Sequence, residues 1–143
     1  MDVWHVDNKN WTSLMLMRTE ESNFMVIQDG EYQPLLTGCR YSLIHKMYTE
    51  IFAMLAGQVT FQQASILDPQ FKTVNEDYLD LNIHYTIDVS SIGTLCSKGL
   101  KVWKMEGYIF VSSGLKNELI KNNNDLQFTL GFSHFGGITE AIE

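Results

Sequence analysis

The sequence predicts an α+β fold in which a mainly antiparallel sheet is covered by one long amphipathic helix, with a second short helix. Three observations carry this. Apolar and polar residues alternate from Tyr78 to Val89, the apolar period becomes helical from Tyr41 to Leu55, and turn dipeptides separate runs that suit strands. In order, Leu14 to Met17 and Phe24 to Gln28 read as short strands. Asp29-Gly30 follows, flanked by Glu31-Tyr32, as the turn of a hairpin. Pro34 has no N–H to give a ladder, so the returning strand is expected on a sheet edge or to end there.

From Tyr41 the residues Ile44, Met47, Tyr48, Ile51, Phe52 and Leu55 fall on one helical stripe. Ser42 can cap this helix, and Gly57 can take the left-handed conformation that ends it. Leu79, Leu81, Ile83, Tyr85, Ile87 and Val89 then alternate with Asp80, Asn82, His84, Thr86 and Asp88, which predicts one buried and one wet face. Lys101 to Met105 and Tyr108 to Ser112 flank Glu106-Gly107 as a second hairpin. Ser113 can cap a short helix holding Leu115, Leu119 and Ile120, which the run from Asn122 to Asp125 stops, and Leu126 to Phe132 reads as a last strand.

No Pro, Gly or Ser-rich linker divides residues 1–143, which read as one domain. At 143 residues such a chain buries roughly two-thirds of the surface it exposes when unfolded. Hydrophobic residues at 45% and charged ones at 19% exclude a disordered tail, and no apolar run approaches the ~20 residues of a spanning helix. The amino terminus lacks the basic start and apolar run of a secretory signal, which places the chain in the cytoplasm as an expectation. Cys39 and Cys96 form no C-x-x-C pair and are expected reduced and packed.

A net charge of −7 repels a phosphate backbone and argues against nucleic acid as partner. The charge is uneven. Residues 1–95 hold twelve acidic and five basic side chains, so they carry the whole excess, and residues 96–143 balance. Between 68 and 88, Asp68, Glu76, Asp77, Asp80 and Asp88 face only Lys72. With Tyr78 and His84 these residues form a candidate acidic docking surface for a basic protein.

Motifs for chemistry are scarce. Asp80, Asn82 and His84 share a strand face with neighbours about 6.5–7 Å apart, which leaves open a metal-dependent or hydrolytic enzyme built on Asp80 and His84. No H-x-H, H-E-x-x-H or D-x-D-x-D-G pattern accompanies them, and His5, His45 and His134 stand singly. The glycine-rich stretch from Gly131 to Gly137 lacks the lysine of a phosphate loop and reads as an aromatic loop. No catalytic set, metal site or cofactor is therefore expected.

Tyr78-Leu79-Asp80-Leu81-Asn82-Ile83, the Ile87-Asp88 pair with Ser90, the strand Ile109-Phe110-Val111-Ser112, then Leu115-Lys116, Leu119 and Phe128 resemble the late region of a family of small bacterial immunity proteins encoded beside polymorphic toxins. The resemblance spans a third to a half of the chain and rests on apolar strand patterns. It implies a non-enzymatic protein that binds a cognate toxin domain, a basic one on the charge argument, and occludes its active site. A plain assembly subunit that binds a second copy of itself is the remaining reading.

Overall fold

The computed structural model describes residues 2–122 and 124–132. Among the described residues, ten strands form two sheets. β1 (Val3–Asn8), β8 (Val102–Met105), β9 (Tyr108–Ser112) and β10 (Leu126–Leu130) make a four-stranded sheet in the order β10-β1-β9-β8. β2 (Met15–Glu20), β3 (Asn23–Gln28), β4 (Leu35–Gly38), β5 (Tyr41–His45), β6 (Val59–Asp68) and β7 (Thr73–Ile83) make a six-stranded one in the order β2-β3-β6-β7-β5-β4. Every pairing is antiparallel except β3 with β6. Two short helices, α1 (Thr49–Ala53) and α2 (Ser113–Asn122), complete a mainly β structure. Among the described residues no helix is long and apolar enough to cross a membrane.

The main core lies between the sheets. Leu79, Leu81 and Ile83 of β7 and Val59 of β6 meet Val102, Ile109 and Val111 of the smaller sheet, with Phe52 of α1 and Leu115 and Leu119 of α2 filling the sides. A second cluster lies on the opposite face of the six-stranded sheet. There Leu16, Phe24 and Val26 of β2 and β3 bury against Leu36, Leu43, Ala64 and Tyr78 of the remaining strands. The sheet therefore coils until its first strands lie over its last ones, and Leu16 N donates to Tyr41 Oη across the closure at 3.2 Å. A third cluster, with Ile87, Ile92, Trp103, Phe110 and Phe132, packs on the outer side of the four-stranded sheet.

The long helix expected from Tyr41 to Leu55 is not formed. Its first third is β5, paired on both sides, with Leu43 opposite Asp80 and Leu36. Leu43 and Ile44 are both buried, and a helical face cannot bury neighbours in opposite directions as a central strand does. Only a turn of 3₁₀ helix over Lys46–Tyr48 and the five residues of α1 follow. The buried stripe of Ile44, Tyr48, Ile51, Phe52 and Leu55 survives with Met47 exposed, so the apolar pattern records burial and not helix length. His45 Nδ1 caps the 3₁₀ turn by accepting from Met47 N, while Ser42 Oγ donates instead to the Gly107 carbonyl. Gly57 does take positive φ, at 87°.

The strand expected from Tyr78 to Val89 begins earlier, at Thr73, and ends at Ile83. Residues 84–89 cross to the other sheet, where Lys104 N donates to the Tyr85 carbonyl and Ile87 N to that of Lys104. Ile87 is thereby buried, which extends the alternation beyond the strand. Asp29-Gly30 does not turn a hairpin. The hairpin lies between β2 and β3 over Glu21 and Ser22, with Glu21 at φ 48°. Pro34 precedes β4, an edge strand as its missing N–H requires, and Leu35 at that edge is held on both backbone groups by the amide of Asn8. Cys39 and Cys96 are free but exposed, not packed, since each lies in a connection between elements.

The β8–β9 turn at Glu106 and Gly107 forms as expected, and it packs on the β4–β5 turn. A Cβ on Gly107 would lie 1.6 Å from the Gly38 carbonyl oxygen. Gly107→Ala is expected to lower stability by about 2–3 kcal/mol, because backbone and not a movable side chain fills the space. Urea melts check this, and an unchanged midpoint would show that the two turns separate freely.

Candidate functional site

Asp80 is the most consequential of the predicted site residues, and it is not on a wet face. It lies mid-strand in β7 between Gln62 of β6 and Leu43 of β5, and its side chain is only 10% accessible. A buried carboxylate needs a partner, because desolvation otherwise costs several kcal/mol. Arg18 of β2 supplies it in a fork, with Nη1 at 2.7 Å from Oδ2 and Nη2 at 3.2 Å from Oδ1. Ser22 Oγ donates to Oδ2 at 2.8 Å. The guanidinium also reaches the Glu21 and Arg40 carbonyls and stacks over the Phe24 ring at 4.6 Å.

This ion pair sits in a cleft of about 600 Å³ lined further by Thr60, Gln62, Asn82, Arg40 and Lys104. The Asp80 carboxylate accepts three hydrogen bonds there, which occupy most of its roughly four acceptor positions. His84 is exposed beyond the end of β7, its backbone N–H donating to the Gln58 carbonyl. Among the described residues, no group of three or more His, Cys, Asp or Glu side chains is placed to hold a metal ion.

The other predicted residues separate. Asp68 is buried at the tip of the β6–β7 hairpin, where Oδ1 accepts from the backbone N–H of Gln70 and Phe71. Tyr78 is buried in the second cluster, with its hydroxyl donating to the Gln33 carbonyl at 2.6 Å, and burial pushes its phenol well above the usual tyrosine range. Asp77 faces the other way and pairs with Lys46 at 2.8 Å, an interaction that holds its carboxyl below the usual range. Glu76 is exposed and accepts from Gln63. Asp88 is exposed in the crossing segment, its carboxyl lowered by donors from Ser90 and Ser91. Asp68 and Asp88 lie beyond opposite ends of β7, whose span from Thr73 to Ile83 is roughly 33 Å. They do not share one surface.

What residue-by-residue inspection missed is an apolar face. Outward positions of β2 and β3 are Met15, Met17, Met25 and Ile27, while Leu16, Phe24 and Val26 point inward. The available signal was the pair of runs Leu14 to Met17 and Phe24 to Ile27, which are apolar on both alternations. His45 packs edge-on against Tyr78, and His5 is buried against Phe110. His134 and the stretch to Gly137 lie outside the described residues.

Asp80→Ala is expected to cost about 2–3 kcal/mol, below the figure for a fully buried pair because Arg18 can rehydrate. His84→Ala should cost less than about 0.5 kcal/mol. Denaturant melts of the two single variants check the contrast, and equal losses would contradict this placement of Asp80.

Comparison of the chain with protein-family models, with curated proteins and with solved structures finds no match.

Proposed function

We propose that this chain is a binding protein that covers a basic protein partner, in the manner of an immunity protein that occludes the active site of a cognate bacterial toxin. The supporting observation is the charge of the six-stranded sheet. Internal pairing consumes Asp80 with Arg18 and Asp77 with Lys46. Among the strands and turns from β2 to β7, Glu20, Glu21, Asp29, Glu31, Glu50 and Glu76 are exposed against Arg40 and Lys72. Such a surface attracts a basic protein from a distance and speeds its encounter. The engaged Asp80 carboxylate favours this reading over an enzyme that uses Asp80 with His84.

The test is association with the purified product of the gene beside this one, followed by stopped flow at low and high salt. A one-to-one complex is expected. Glu20→Lys combined with Glu76→Lys should slow association about tenfold at low salt, with the difference shrinking as salt screens the surface. Absence of a complex would overturn the proposal, and an association rate unaffected by the double reversal would remove charge steering from it.

A further inference from the structure

Cross-strand partners share a face of a sheet, so the register of the six-stranded sheet identifies which exposed side chains adjoin. Met17 pairs with Met25, Met25 with Leu67, and Leu67 with Val74. These four lie in one line across β2, β3, β6 and β7, about 15 Å from end to end at the usual strand spacing. Met15 and Ile27 extend the line along their strands. Leu67 and Val74 are 43% and 56% exposed, Met15, Met17 and Ile27 between 45% and 55%, and Met25 between them is half-buried.

At the other end of β6 and β7 the same face is covered. Val59, Leu81 and Ile83 point to that side and are buried under the four-stranded sheet. Leu67 follows Val59 at an even interval in β6, so it is on the covered side but beyond the cover. A continuous apolar face of this kind marks an interaction surface, and flexible methionines suit one that must fit a partner's contours.

Charge decides between occupants. A second copy would bring another chain of net charge −7 against this one, and the two would repel. A basic protein gains from the acidic excess around the same strands, since Glu20 ends β2 and Glu76 lies in β7 two residues from Val74, against Lys72 in the adjoining turn. We propose, on the reading given under Proposed function, that the uncovered face of β2, β3, β6 and β7 is the docking surface for that basic partner. The partner's matching surface has an apolar centre within a rim of lysine or arginine.

The methionines report on it directly. Brief peroxide oxidation of the free chain converts accessible methionines to sulfoxides, which mass spectrometry locates. In complex with the adjacent gene's product, Met15 and Met17 should oxidise at least fivefold more slowly, while Met54, 54% exposed after α1, should be unaffected. Met17→Gln combined with Leu67→Gln should leave the melting midpoint unchanged and speed dissociation at least tenfold. A stable complex in which Met15 and Met17 oxidise at the free rate would overturn this surface and leave the binding function standing. Protection that rises with the concentration of this chain alone would assign the face to a second copy and overturn the proposal. Failure to form any complex would overturn both.

Discussion

The ion pair between Arg18 and Asp80 is the constraint on which the arrangement of the larger sheet depends. The residues are 62 apart in sequence, and one comes from an edge strand, the other from the middle of the sheet. Asp80 cannot be buried between β5 and β6 as a bare charge, so the β2–β3 hairpin must fold over it. That hairpin carries Arg18, Ser22 and the ring of Phe24 to the same point. Once Leu16, Phe24 and Val26 are turned toward the second cluster, strand alternation leaves Met15, Met17, Met25 and Ile27 pointing out. One half-buried charge pair thus fixes the floor of the cleft and the orientation of the apolar face.

Much of the strand content was legible because it depends on local pattern. The strand near Phe24 to Gln28 and the β8–β9 hairpin with its Glu106-Gly107 turn are where the sequence puts them, while the strand expected at Leu14 to Met17 runs on to Glu20 and the last strand stops at Leu130 instead of Phe132. The failures share a cause. Residues 41–45 carry a helical period because Ile44 and the buried residues of the next segment fall at matching intervals, yet the pairing of β5 with β4 and β7 is set by residues far away. The β2–β3 turn uses Glu21 in a conformation that Asn or Gly usually announces, so it carries no turn signal of its own while Asp29-Gly30 carries a false one. Asp80 looked wet because it is charged and alternates with leucines, and its partner Arg18 has no sequence neighbourhood with it.

The acidic excess was legible as a number but not as a surface. Of the acids between 68 and 88, Asp68 and Asp80 serve the fold, and Asp77 is paired with Lys46. Exposed charge and apolar face come together along β2, β3, β6 and β7 only through a register that pairs residues 17, 25, 67 and 74. In the complex proposed above, charge is assigned the rate of encounter and apolar contact the lifetime.

Native-state hydrogen exchange of the Asp80→Asn protein tests most directly whether this pair holds the coiled sheet closed. The account predicts that the amides of Leu16, Phe24 and Val26 lose protection while those of Ile109 and Val111 in β9 keep theirs, because the hairpin opens as a unit from a sheet that otherwise persists. Unchanged protection at Leu16, Phe24 and Val26, or a uniform loss through both sheets, would contradict it.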